Sequence, residues 1–269
     1  MGSTPQRTPV RPPAAYIGGK RKLAKRIIEK IDAIPHDTYA EAFVGMGGVF
    51  FRRNAVPKAE VINDYNQDVA TFFRVLQRHY QAFIDMLRWQ ITTRSEFERL
   101  KRIDPDTLTD LERSARFYYL QRTSFGGKVA GRNFGVSPTE PGRFNLINLV
   151  PILEDVHQRL AGVTIERLPY HEFLPRYDRP GTLFYCDPPY WGSENDYGPG
   201  MFSRDEFERL ATILGSLQGR FILSINDRPE VRAIFGSFEL EPVGLTYTVG
   251  GGAPVQAREL IITGGRSQT

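Results

Sequence analysis

The stretch Leu183-Phe184-Tyr185-Cys186-Asp187-Pro188-Pro189-Tyr190-Trp191 ends an apolar run on an acid, two prolines and two aromatics. Asp187 brings a carboxylate. The prolines fix φ and lack an N–H, so the Pro188 carbonyl is held rigidly and stays available as an acceptor. Two acceptors side by side suit a group with two N–H donors, such as the exocyclic amine of a nucleobase. The lone pair of that amine is delocalised into the ring; hydrogen bonds from both its hydrogens hold it closer to pyramidal and make it nucleophilic. Tyr190 adds a face on which a base can stack. An isolated Asp-Pro-Pro is more often a turn with a capping acid, but the strand-like run before it and the aromatics after it weigh against that reading.

A second constellation lies upstream. Gly45, Gly47 and Gly48 follow the run "TYAEAFVG" and precede "GVFFRRN", and Asp64 closes "AEVINDY" some twenty residues on. Glycines after a first strand let backbone approach a ligand, and an acid at that distance holds ribose hydroxyls in dinucleotide folds. Phe50 stands where the third glycine of the dinucleotide fingerprint belongs, so a nucleoside without phosphates fits better. Further back, "AYIGGKRKLAKRIIEK" fails as a phosphate loop, with Ala14 at the first glycine position and Arg21 after the lysine. Lys20 near a helix start opposes the helix dipole, which calls for a carboxylate partner or a ligand.

Seven short β-branched or aromatic runs position these groups: 38–45, 59–65, 163–168, 181–186, 220–226, 238–247 and 257–264. Helical patterns separate them, the sequence form of an α/β parallel sheet. A short helix is predicted near "GGVFFRRN". Residues 66–160 show helical periodicity throughout, so a helical insertion interrupts the sheet. Ser203 and Glu206 stand at capping-box spacing before "FERLATIL", predicting a helix start there. Residues 191–201 read as a loop between the Asp187 element and that helix. The Pro-rich start, residues 1–15, is expected to be a disordered tail. The division is thus 1–15 tail, 16–75 first part of the sheet domain, 76–150 insertion, and 151–269 second part.

The chain has 269 residues, 35 basic and 31 acidic, for a net charge of +4. The excess gathers in the insertion and is sharpest over residues 113–143, where Arg113, Arg116, Arg122, Lys128, Arg132 and Arg143 are opposed only by Glu140. This is a solvated surface or a phosphate-binding patch. One cysteine excludes an intramolecular disulfide and fits a reducing cytoplasm. The four histidines show no metal-ligand spacing, so no metal is expected. No apolar run approaches membrane-spanning length, and no membrane partner is expected.

Taken in order, "YIGGK", "EAFVGMGGVF", "VINDYNQD", a helical insert, "CDPPY", "LSIND" and "ARELIIT" resemble the Dam-like D12 (alpha) class of DNA adenine-N6 methyltransferases over residues 16–264. The resemblance implies a Rossmann-like methyltransferase fold with a seven-stranded, mostly parallel sheet and a helical DNA-recognition insertion. It implies S-adenosyl-L-methionine as methyl donor, bound by Tyr16, Lys20, Phe43, Gly45, Gly47, Asp64, Tyr170 and Asp187. It further implies methylation of N6 of adenine in double-stranded DNA after base flipping, with Asp187, Pro188 and Tyr190 catalytic and no covalent enzyme intermediate. On the insert, residues 120–138 resemble the DNA-contacting hairpin of the class. Phe125 would fill the space left by the flipped base, and Arg122, Lys128 and Arg132 would meet phosphate or base edges. The insert is short and does not clearly reproduce the GATC-reading residues, so relaxed specificity is expected beside site-specific methylation. A cytosine-N4 methyltransferase and a noncatalytic DNA-binding relative are the alternatives. A monomer is expected.

Overall fold

A computed structural model describes residues 6–16, 20, 22–135, 139, 141–194, 202–247 and 255–266. Its centre is one seven-stranded sheet. The strands are β1 (Thr38–Glu41), β2 (Ala59–Asn63), β3 (Thr164–Glu166), β4 (Thr182–Cys186), β5 (Arg220–Asn226), β6 (Glu239–Tyr247) and β7 (Val255–Gly265). Their spatial order is β3-β2-β1-β4-β5-β7-β6. The first five run parallel, and β7 is antiparallel to both of its neighbours. The order of connection reverses between β1 and β4, which pair directly, and the crevice beyond the strand ends at such a point is where ligands bind in open α/β sheets.

The period-2 alternation of the central strands sorts the core into two layers. Tyr39, Leu183, Tyr185, Ile222 and Ile261 face one layer; Ala40, Phe184, Cys186, Leu223 and Ile262 face the other. All five residues of β4 are buried, as expected for a parallel strand covered on both sides. On the second face pack α7 (Tyr170–Tyr177), α8 (Asp205–Ser216) and α9 (Pro229–Ile234), through Phe173, Leu210 and Val231 among others.

The first face carries α1 (Ala24–Asp32), whose Ile27 and Ile31, four residues apart, are fully buried. It also carries the helical insertion: α2 (Gln67–Arg78), α3 (Tyr80–Leu87), α4 (Arg94–Arg102), α5 (Asp110–Thr123) and α6 (Leu146–Arg159). The Asn66 side chain caps α2 and a Thr109/Glu112 capping box starts α5. Phe72, Phe83, Phe97 and Tyr118 of the insertion join Phe50, Leu183 and Tyr185 in one continuous core. The insertion is therefore no separately packed unit, and the expected boundaries at 75/76 and 150/151 fall inside α2 and α6.

Three local expectations change. Residues 6–15 are not a loose tail: Arg7 N donates to the Asn54 carbonyl and Val10 N to the Phe51 carbonyl, while the Ala15 carbonyl accepts from Gln121. The part of the tail at 1–5 lies outside the described residues, as do residues 195–201 of the expected loop. The helix near "GGVFFRRN" is a single 3₁₀ turn, Phe50–Arg52. No capping box opens α8, because its N-cap is Arg204; the Ser203 hydroxyl binds the Asp205 carboxylate, and the Glu206 carboxylate is taken by the Tyr170 hydroxyl. Among the described residues no helix is long and apolar enough to cross a membrane.

Candidate active site

The loops that follow β1 and β4 part at the switch point and open a cavity of about 670 Å³. Tyr16, Lys20, Phe43, Gly45, Asp64 and Asp187, all singled out in the sequence, line it together. Gly45 and Gly47 have positive φ, at 50° and 68°. A Cβ on Gly45 would stand 2.7 Å from the Tyr16 ring, and one on Gly47 would stand 2.3 Å from the Phe51 ring. Both glycines are thus fixed by conformation and by close approach.

Asp64 ties the second strand to this loop. Its Oδ2 accepts from Gly45 N at 2.9 Å and its Oδ1 from Asn66 N at 2.9 Å. Burial pushes its carboxyl up to about 6, and the two backbone donors hold it back from rising further. Asn63, just before it, clasps three strand ends: its amide nitrogen donates to the Ala42 and Leu168 carbonyls, and its oxygen accepts from Leu168 N.

Asp187 sits at the end of β4, its side chain 21% exposed. Lys20 Nζ lies 3.0 Å from its Oδ1, and the Ser224 hydroxyl donates to the same oxygen at 3.2 Å. Among the described residues, both of these contacts fall on Oδ1 and none on Oδ2. Burial pushes Asp187 up to about 6, opposed by Lys20, with Glu259 adding to the rise. Lys20 is buried at the start of α1, where its own carbonyl accepts from Leu23 and Ala24. The carboxylates its position calls for are Asp187 and Glu259, the latter 3.2 Å away.

The rest of the Asp187 element is held as firmly. Tyr190 accepts from Lys20 at 2.5 Å and donates to Glu259 Oε1 at 2.7 Å. Asn226, at the end of β5, accepts from Trp191 N and donates to the Trp191 carbonyl, each at 2.9 Å. Pro188 is buried, and Pro189 forms part of the cavity wall. Cys186 is fully buried, and burial pushes its thiol far above the ordinary range, which suits a strand residue and not a nucleophile.

Tyr170 stands behind the wall, its ring 5.7 Å from Phe43 and 5.8 Å from Phe202; Phe202 takes the lining place. Three participants went unread in the sequence. Phe202 had no signal. Glu41, ending β1, is buried against the Tyr39 hydroxyl at 2.7 Å, and burial pushes it up to about 8. Glu259 lay inside the quoted "ARELIIT", where an acid amid β-branched residues was the available signal.

The residues expected to meet DNA are not brought together in the same way. Phe125 is 54% exposed on a 3₁₀ turn, Phe125–Gly127, at the head of a hairpin-like loop closed by a Ser124–Phe134 bridge. Lys128 is exposed beside it. Arg122 reaches the cavity wall, with its Nε buried and without a partner. Arg132 is only 8% exposed: it binds the Lys128 carbonyl and Gln121 Oε1, with its guanidinium over the Phe117 ring. Arg113 is paired with Asp68 and Asp106, and Arg116 with the Leu100 carbonyl. The basic run of the sequence is thus in large part internal scaffolding, because guanidinium groups brought into a core need acceptors there.

Fold and site together are those of an open α/β sheet with a glycine loop, Asp64 and the Asp187 element gathered on one cavity at the switch point. Residues 16–249 match the family model for D12 class N6 adenine-specific DNA methyltransferase, and the chain belongs to that family. It is 23% identical over 233 residues to the Type II methyltransferase M.CviBI of Paramecium bursaria Chlorella virus NC1A, covering 85% of this chain and 88% of the relative. It is 25% identical to the Type II methyltransferase M1.LlaDCHI of Lactococcus lactis subsp. cremoris, covering 94% and 95%. The DNA N-6-adenine-methyltransferase of Escherichia phage P1 is 24% identical, over 76% of this chain and 28% of that protein.

Proposed function

We propose that the protein transfers a methyl group from S-adenosyl-L-methionine to N6 of adenine in double-stranded DNA, after turning the base out of the helix. The observation that carries this reading is the placement of Asp187, with Oδ1 occupied and Oδ2 left over, in the same cavity as Asp64 and the Gly45 loop.

The residues present fit the donor. Gly45 brings bare backbone to the cavity, Asp64 offers a carboxylate fixed by two backbone N–H groups, and Phe43 and Tyr16 give ring surfaces to the wall, while Gly47 is packed against the Phe51 ring. When bound, S-adenosyl-L-methionine supplies an electrophilic methyl group on a positively charged sulfonium. The residues of the chain do the rest. Asp187 accepts one N–H of the adenine amine and the Pro188 carbonyl accepts the other, which localises the nitrogen lone pair. Tyr190, its hydroxyl tied by Lys20 and Glu259 and one ring face under the Lys20 ammonium, offers its other face, in a fixed orientation, for the base to stack on. Pre-positioning of this kind supplies much of the acceleration in a direct transfer.

Turning out the base costs a few kcal/mol of stacking, and an apolar side chain inserted in its place offsets part of that cost. Phe125 is the exposed aromatic on the hairpin and takes that role. Among the described residues 125–135, the exposed ones are Phe125, Gly126, Lys128, Gly131 and Asn133, which offer few groups to read base edges. This supports relaxed sequence specificity.

The test is to incubate the protein with S-adenosyl-L-methionine carrying a labelled methyl group and a plasmid, then map modified bases at nucleotide resolution. N6-methyladenine in many contexts is the expected result. Label on cytosine, or on no base, sinks the assignment, and confinement to one tetranucleotide sinks relaxed specificity alone.

A further inference from the structure

Glu259 lies near the start of β7. Because β7 runs antiparallel to β5, its start falls at the edge where the parallel strands end, and Glu259 pairs in register with Asn226. Asn226 is the residue that clasps Trp191. The antiparallel strand thus delivers a second buried carboxylate, 1% exposed, beside the element that follows Asp187. Both of its oxygens are engaged there: Oε1 accepts from the Tyr190 hydroxyl at 2.7 Å, and Oε2 from Lys20 at 3.2 Å. Lys20 in turn lies 3.0 Å from Asp187 and 2.5 Å from the Tyr190 oxygen. A carboxylate this buried needs partners in place; Tyr190 belongs to the amine-holding element itself, and Lys20 is the cation paired with Asp187.

We propose, on the reading of this site as an amine methyltransferase, that Glu259 is a positioning residue: it fixes the Tyr190 ring and shares Lys20, so that Lys20 does not neutralise Asp187 outright. Without the Glu259 charge, Lys20 turns wholly to Asp187 and competes with the substrate amine for its oxygens. The groups that face Asp187 are Lys20 ahead of α1, Tyr185 on β4, Ser224 on β5, Glu41 at the end of β1, and Glu259. Lys20 favours the ionised form of Asp187 and Glu259 disfavours it.

The decisive variant is Glu259→Gln, which keeps the shape and removes the charge. In the protein without cofactor or DNA, the Asp187 carboxyl carbon is followed by NMR as pH is varied. Its titration is expected to move down by about one pH unit, the scale of a lost like-charge neighbour and a strengthened opposite one. With DNA and cofactor, kcat is expected to fall about tenfold or more while the cofactor KM stays within about threefold. The acid limb of kcat/KM should move to lower pH with the Asp187 titration. Glu259→Asp, which restores the charge one methylene short, should return the Asp187 titration most of the way; it also serves if the Gln variant does not fold. A folded Gln variant with unmoved Asp187 titration overturns the proposal, as does an Asp variant that fails to restore it. The titration does not require turnover, so a shift in a protein whose wild type methylates no adenine refutes the functional reading and leaves the hold of Glu259 on Asp187 intact.

Discussion

The sheet edge around Asp187 and the hairpin around Phe125 are built on opposite principles. At the sheet edge, Lys20, Asp187, Tyr190, Glu259 and Ser224 bond to one another through side chains contributed by four separate stretches of chain. On the hairpin, Arg132 is turned inward, and the outward side chains among the described residues are an aromatic, a lysine and an asparagine. Chemistry is prearranged in the first region, because a reacting centre gains only from groups already in place. In the second, few partners are fixed before DNA arrives. On the proposed function, the comparison makes catalytic precision and sequence reading separable tasks of two differently built regions.

The largest expected effect tests the prearranged side. Asp187→Ala should leave a folded protein whose methyl transfer falls by roughly 10³-fold, the scale of losing a fixed hydrogen-bonding group at a reacting centre. Turnover is read by label incorporation into DNA, and undiminished turnover would remove Asp187 from the mechanism. The wild type carries a matching pH signature. Asp187 must be ionised to accept from the amine and is pushed up to about 6, so kcat/KM should drop about tenfold per pH unit below that value. Stability runs the other way. Between 3.8 and about 6 the folded state binds more protons at Asp187 than the unfolded state does, so wild type loses stability as pH rises through that window. Asp187→Asn lacks this contribution and should gain stability relative to wild type over the same range.

Much of the prearranged side was legible in the sequence, and for a physical reason. The glycine loop follows β1, Asp64 follows β2 and Asp187 follows β4, so the rule that ligands bind beyond the ends of parallel strands was enough to put all three at one edge of the sheet. All seven strands were found at their places because buried strands demand β-branched and aromatic runs. Glu259 escaped because its role depends on β7 running antiparallel, which no local pattern announces. The insertion was legible as helix but misread as surface. Charge in a sequence says nothing of direction, and Arg113, Arg116 and Arg132 point into the fold, where Asp68, the Leu100 carbonyl and Gln121 satisfy them. The Pro-rich segment 6–15 was misread for the same reason, since its partners at Asn54, Phe51 and Gln121 are distant in sequence.

A smaller effect is expected on the hairpin. Phe125→Ala should lower kcat/KM on a fully paired duplex about tenfold, by removing the wedge that offsets unstacking. When the target adenine faces an abasic site, unpairing costs less, so the loss should shrink to within about twofold. An equal loss on both duplexes would place Phe125 in general DNA contact and weaken the contrast between the regions.

The smallest effects separate the two kinds of cation. Lys128→Ala should weaken DNA binding a few-fold in every sequence context. It should also flatten the dependence of log affinity on log salt by about one unit, the mark of one lost phosphate contact. Arg132→Ala should leave that slope unchanged and lower the melting temperature instead. Removing its guanidinium strips Gln121 Oε1 and the Lys128 carbonyl of a donor inside the fold, at a cost of about 1–3 kcal/mol. The two variants lie four residues apart on one hairpin, so they share every influence except the direction in which the side chain points. If Arg132→Ala flattens the salt dependence as Lys128→Ala does, the hairpin turns its buried arginine outward on meeting DNA, and its inward scaffolding is a resting state of the reading surface.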